Sequence, residues 1–412
     1  MDKQTQDSGK GFVYHDPAFQ YTDEYSGRTI ERLTDYLGHT NHLYFTDPCW
    51  IDDSRSMVVT SDRNNRSNLF RLELEDRSLT QLTDLHGGER PHSSYSAANR
   101  CHYFVSDGAL IELSIDTLEE RELCRPASRV NGVPMELSGR PCANADGSSV
   151  ILSASEPDPT AGERVSFAYA GFHSDFHRKP LTRILRVDRA TGSAEIIHED
   201  RCFITHLNPS PALPDVMTFC HEGPWHLVDQ RIWGLNIRTG ETWKVRDQSG
   251  EDLAIGHEYW FADGERIGYH GRSRSDATHS QGKHIYGHIR WDGSECVEQW
   301  FPFHSTHFHS LDEQLIVGDG SPAAVFTHQG VSQPFIQLFR WNGSEYEGPR
   351  ILAYHRSTFN DQHAHPHPRF TPDGKHIIYT SDLTGYSNIY RVEIGDFDEL
   401  PLLTDDVRPQ HT

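Results

Sequence analysis

The sequence predicts an all-β chain folded as a seven-bladed β-propeller, its last blade closed by a strand from the N-terminal end. Three observations predict it. A unit made of a β-branched or aromatic run, a Ser-Asp or Gly-Asp bend, a second run, a Gly- or Asp-bearing turn and a third run recurs along the chain. No helical segments separate the copies, which argues against an α/β barrel. The last copy stops almost at the C-terminus, while "RTIERLTD" at 28–35 ends in the same Leu-Thr-Asp as "LTQLTD" of the first copy. Such a closing strand removes the open edge that a lone last blade would leave.

The units follow in order. The first is "SMVVTSDRNNRSNLFRLELEDRSLTQLTD" near 56–84, and the second is "CHYFVSDGALIELSIDTLEERELC". The third joins "SVILSASE" to "TRILRVDRATGSAEIIHED", and the fourth joins "VMTFCHEG" to "RIWGLNIRTGETWKVR". The fifth and sixth run from "RIGYHGRS" and "QLIVGDGS", and the seventh is "KHIIYTSDLTGYSNIYRVEIGDFDELPLLTD" near 375–405. Their bends fall near Asp62, Asp107, Ser155, His221, His270, Asp319 and Asp382. Residues 1–25 carry no core pattern and read as an arm that is surface-lying or disordered, leaving 26–412 as a single propeller domain. The insertions at 157–180 and 352–368 are where functional groups are expected.

A formal charge of −22 argues against a nucleic-acid partner, which needs a basic face. An anionic ligand would require a local device such as a metal ion or a converging arginine. No run of eighteen apolar residues and no signal-type N-terminus occurs, so no membrane partner and a cytoplasmic location are expected. Seven scattered cysteines without a C-x-x-C pair predict reduced thiols, neither a disulfide framework nor a thiolate zinc site. Histidine, at 27 of 412 residues, is the outlier.

In "DQHAHPHPRF", His365 and His367 stand at i, i+2, which on an extended chain projects both imidazoles to one face. Gln362 can add an oxygen from the loop, and His363 is a spare candidate. "FHSTHFHS" places His304, His307 and His309 ahead of the preceding unit, where adjacent blades would bring them to the same point on the axis. Three imidazoles and an amide suit a divalent ion such as manganese, zinc, nickel or iron. "FCHEGPWHLVDQRIW" is not a zincin motif, because His221 and His226 are five apart and Gly223-Pro224 forbids the helix. It leaves a polar cluster of His221, Glu222, Asp229 and Arg231 inside a β-repeat. His257 and Glu258 enter the next unit, and His206 lies in the same succession. No nucleophile elbow, P-loop or dinucleotide fingerprint is present.

Taken in order, "FCHEGPWHLVDQRIW", "GHEYWFADG", "HFHS" with "VGDGS", and "QHAHPHPRFTPDGKHIIYTSD" resemble the oligogalacturonate lyases of bacterial pectin catabolism. "FHSDFHRKPLTRILRVDRATG" and "GHTNHLYF", which holds His39, extend the likeness over most of the chain. The resemblance implies a cytoplasmic seven-bladed propeller that cleaves 4-linked oligogalacturonides by β-elimination with a divalent metal, foremost Mn2+. Carried over, the metal ligands fall on His307, Gln362, His365 and His367, the catalytic arginine on Arg231 and the catalytic histidine on His257. His206, His221 and His39 are further substrate-binding candidates. In this reading His257 is the general base, and Arg231 grips the uronate carboxylate with two donors. Water, His221 or His206 would protonate the leaving oxygen. An anionic uronate oligosaccharide is the expected partner, and the protein is expected to be a monomer or homodimer. The rivals are a lyase of the same mechanism on another uronate and a non-catalytic propeller scaffold. A propeller peptidase is disfavoured, since no α/β domain fits the length.

Overall fold

The computed structural model describes residues 9–86, 90–160, 172–275, 284–301, 305–321 and 334–404. Seven antiparallel sheets follow one another as blades I to VII. Blade I holds Thr40–His42, Ser56–Ser61, Asn68–Glu73 and Ser78–Gln81. Blades II to VI are four-stranded over 93–124, 136–201, 204–244, 253–300 and 308–354. Blade VII comprises Arg369–Phe370, His376–Ser381 and Asn388–Glu393, and is closed by Thr29–Arg32. The closure has Ile30 opposite Val392 and Glu31 opposite Arg391, the latter pair joined by an ion pair of 2.6 Å.

The N-terminal arm extends this closure. Phe19–Thr22 pairs with Thr29–Arg32 as a fifth strand of blade VII, and Val13–His15 adds to the outer edge of blade I. Both strands are largely exposed.

Second strands such as "SMVVTS" are buried on both faces, because each is covered by the blades on either side. Outer strands such as Ala194–Arg201 are exposed. The core is correspondingly a ring of clusters, each shared by neighbouring blades. Leu152 of blade III packs with Tyr103 of blade II, Tyr269 of V with Ile232 of IV, and Phe339 of VI with Tyr286 of V. Among the described residues the one α-helix is short, Phe172–Arg178 within the third unit's insertion.

Two irregularities position the site. In blade I the inner edge is split, with Thr40–His42 and Trp50–Ile51 both pairing to Ser56–Ser61, so residues 43–49 leave the sheet. Arg369 of blade VII holds this loop by donating to the carbonyls of Tyr44 and Asp47. Phe45 is thereby buried among the rings of His257, His307, His309 and His367 at the propeller axis. Second, the inner strands of blades III, IV and V each carry a bulge at the same level. Register breaks between Ser138 and Cys142, between Thr205 and Asn208, and between Gly256 and Tyr259. The first unpaired residue of each bulge, Gly139, His206 or His257, has a positive φ of 72°, 51° or 52°. A bulge re-aims its side chains, here toward the axis, and a left-handed histidine costs about 1–3 kcal/mol that the surrounding sheet must supply.

Candidate active site

His307, His365 and His367 converge. One ring nitrogen from each lies within 4.8 Å of the others, and all three residues are buried. His365 is extended, as Pro366 requires, but the rest of "QHAHPHP" is not. Gln362–Ala364 forms a 3-10 turn capped by the Asp361 carboxylate, which accepts from His363 N, and His367 has a φ of +44°. Thr380 N donates to Pro366 O and Ser357 Oγ to Ala364 O, so the loop is stitched to blade VII. The turn carries His363 away from the cluster, into the wall of a neighbouring cavity lined also by His39 and Arg90. The Gln362 amide remains with the cluster, 3.1 Å from His367 Nε2.

His307 is oriented by Asp319, a repeat bend residue. Its Nδ1 donates to Asp319 Oδ2 at 2.6 Å and its backbone N–H to Oδ1 at 2.8 Å. Burial alone would raise the Asp319 carboxyl, but His307 more than offsets this and holds it below its usual value. Burial pushes His365 down to about 3 and His367 well below the usual imidazole value. His365 and His367 therefore offer neutral nitrogen donors, and with the His307 ring and an amide they form a set suited to a borderline divalent cation, the carboxylate behind His307 orienting its ring. These residues fit a metal. His309 sits below them against Tyr259 and Phe45, accepting from Phe370 N, and His304 lies outside the described residues.

His257 adjoins the cluster, its ring centroid 4.5 Å from that of His307. Its Nδ1 lies 3.1 Å from His270 Nε2, and Trp225 packs edge-on against it at 4.9 Å. Burial, followed by the neighbouring His307 and His270, keeps its pKa well below 6.5, so the ring is neutral. Its Nε2 has no hydrogen-bond partner among the described residues.

Arg231 is buried and held from two sides. Nε donates to Glu258 Oε2 at 3.1 Å, Nη1 donates to Glu222 Oε1, and its own N–H is received by Gln248. Burial opposes the guanidinium charge, but the two carboxylates raise its pKa well above the ordinary value. The Cys220 thiol nearby, pushed far up by burial, is neutral and adds no charge. His206 bridges the same carboxylates at 3.5 Å to each. Two of Arg231's donors are thus committed, and the two-donor grip expected of it is not free as it stands.

Two cavities open around this centre, of about 780 Å³ and about 580 Å³. The smaller is lined by Arg231, His206, His257, Phe172 and Phe203, and the larger by His39, Arg90 and His363. Both are lined by Tyr44, Asp47, His92, Arg140, Asp361 and Gln362, so they are two lobes of one groove. His39 accepts from Ser387 N through Nδ1. His221 lines neither lobe. It lies against Trp233 and Phe219, and burial lowers it to about 4. Asp229 of the same motif points to solvent. Sequence reading missed Tyr44, Asp47, Asp319 as a partner of His307, and Arg140. The isolated Gly139 inside a strand pattern was the signal for the bulge that presents Arg140.

A family model of oligogalacturonate lyases matches residues 8–397. The chain is 27% identical over 394 residues to an oligogalacturonide lyase of Pectobacterium atrosepticum, covering 91% of this chain and 96% of that protein. A solved oligogalacturonate lyase in complex with manganese superposes with a TM-score of 0.78 at 25% identity, over 94% of this chain and 99% of that one. A second solved structure, an oligogalacturonate lyase of Vibrio parahaemolyticus, has a TM-score of 0.79 at 23% identity over the same shares.

Proposed function

The chain belongs to the oligogalacturonate lyase family and is a lyase of oligogalacturonides; from that premise we propose how its groove carries out β-elimination on a 4-linked galacturonide and which residues do so. The observation that carries the reading is that Gln362, His367 and His257 line one groove, and that His307 and His365 complete the three-histidine cluster beside it.

A divalent cation held by His307, His365, His367 and Gln362, Mn2+ by the donor set and by the manganese complex of the similar structure, supplies Lewis-acid stabilisation of charge developing on the C6 carboxylate. His257 takes the C5 proton at Nε2. This requires the tautomer in which its Nδ1–H donates to His270 Nε2, and that hydrogen bond fixes the ring in the orientation the transfer needs. Its neutral state near pH 7, secured by burial, leaves the lone pair available. Arg231, locked by Glu222 and Glu258, contributes a fixed Nη2 donor, with no reorganisation required when charge develops. His206 lies within the same lobe and is a candidate to reprotonate the departing C4 oxygen, whereas His221 is remote from it. All seven cysteines are free, which supports a reducing, cytoplasmic compartment. Among the described residues no helix is long and apolar enough to cross a membrane.

The test is incubation of manganese-loaded and chelator-stripped protein with digalacturonate and a panel of other uronides, following ultraviolet absorbance of the 4,5-unsaturated product. Absorbance should rise with the loaded protein on galacturonides and be lost in His257→Ala. Full activity in that variant would remove the base assignment, and silence of the loaded wild type on every uronide would remove the substrate assignment.

A further inference from the structure

The groove has two lobes, but the chemistry above occupies only the region around the three histidines and Arg231. What lies at the junction of the lobes is Arg140. It occupies the blade III bulge, one residue after Gly139, at the position that Leu207 and Glu258 take in the next two blades. Its Nε is anchored 2.9 Å from Oδ2 of Asp47, whose side chain is only 5% exposed. Its guanidinium lies over the Tyr44 ring at 4.7 Å. Unlike Arg231, which spends Nε and Nη1 on Glu258 and Glu222, Arg140 has both Nη groups without a hydrogen-bond partner among the described residues, and its side chain is 31% exposed. Arg90, farther along the larger lobe, faces Asp62 with two of its nitrogens.

An arginine fixed at Nε, laid on an aromatic face and open at both Nη groups is a preset fork for a planar carboxylate. We propose that Arg140 is a substrate-binding and specificity-determining residue that receives the carboxylate of the second uronate, the ring that departs with the C4 oxygen, and that the larger lobe houses this ring. Asp47 and Tyr44 hold the fork at that point, and Arg140 lines both lobes together with Gln362. The proposal rests on the lyase reading for the identity of the first ring, and it makes an acidic disaccharide the shortest good substrate.

The test compares digalacturonate with its derivative methyl-esterified only on the ring that leaves, in the manganese-loaded enzyme. Wild type should lose about 10- to 100-fold in kcat/KM on esterification, mainly through KM, as one charged hydrogen-bonded pair is removed. The double variant Asp47→Asn/Arg140→Gln, which strands no buried carboxylate, should be weakened by a similar factor on digalacturonate and treat acid and ester alike within about twofold. Arg140→Lys, which keeps a charge beside Asp47, should fall between them. A folded, active double variant that still discriminates, or a wild type that never did, overturns the assignment. If wild type turns over neither compound, the lyase reading fails separately. Calorimetric binding of digalacturonate then decides, a 10- to 100-fold weaker affinity in Asp47→Asn/Arg140→Gln supporting the fork and an unchanged one refuting it.

Discussion

The hydrogen bond from His307 to Asp319 sets up a prediction about a residue that touches no substrate. Asp319 is fully buried, and its two oxygens have separate duties. Oδ2 receives Nδ1–H of His307 at 2.6 Å, while Oδ1 receives the His307 backbone N–H at 2.8 Å and the Ser305 hydroxyl at 3.0 Å. In Asp319→Asn one acceptor remains. If it stays with the two Oδ1 donors, the new amide N–H faces Nδ1 and imposes the opposite tautomer, with the proton on Nε2, where the ring can no longer ligate. If it turns to Nδ1 instead, the backbone N–H and Ser305 lose a buried acceptor. Either way a charge-assisted bond of about 1.5–3 kcal/mol is lost, equivalent to about 10- to 150-fold, and loss of such supporting partners costs about 10- to 100-fold in metal affinity. Titrating Mn2+ into chelator-treated protein by calorimetry should give a Kd raised by about that factor, with turnover largely restored at saturating manganese. A variant that folds and binds Mn2+ within twofold of wild type would refute the tautomer argument.

Three further outcomes follow from the same physics. Arg231→Met strands Glu222 and Glu258, whose side chains are 9% and 0% exposed, and should cost about 3–5 kcal/mol in urea unfolding; adding Glu222→Gln and Glu258→Gln should recover stability without activity. His102, fully buried in blade II with neither ring nitrogen partnered among the described residues, is lowered by burial from 6.5 to about 3. Because its folded pKa lies below the unfolded one, its neutral form is free of penalty above pH 6.5 and stability is lost as pH falls from 6.5 toward 3; His102→Leu should therefore lose about 2 kcal/mol less than wild type between pH 7 and 5. Stripping the divalent ion should abolish digalacturonate binding as well as turnover, read by calorimetry.

The blades were legible because each repeats a period-two pattern with a polar bend, and "RTIERLTD" announced its partner by sharing an ending with "LTQLTD". The metal-type cluster was legible because adjacent blades bring equivalent segments to one axis. Its geometry was legible only in part: Pro366 does keep His365 extended, but the capping carboxylate of Asp361 turns residues 362–364 into a 3-10 turn and moves His363 into another wall. His221 looked like a site residue because it neighbours Glu222, but on a strand successive side chains alternate, so one faces the groove and the other packs on Trp233. Arg140 stayed hidden for the opposite reason. Only a bulge in register with those of His206 and His257 turns it inward, and such register is a property of paired strands, not of either strand's residues.

The pairing of charges in the groove explains how a chain of net charge −22 can hold an acidic sugar, and why a cation is indispensable to more than chemistry. Arg231 faces Glu222 and Glu258, Arg140 faces Asp47, and Arg90 faces Asp62. With Asp361 and Asp382, which also line the groove, three guanidinium charges stand against six carboxylates and leave −3, and the His257 and His367 rings, held neutral by burial, add nothing. A divalent ion reduces this excess from −3 to −1 and puts its positive charge at the three-histidine centre, so the attraction it adds is local. The arginines are then not the source of attraction. Their charge is already neutralised in place, and what they contribute is direction: fixed forks toward which a carboxylate, admitted by the ion's field, can align.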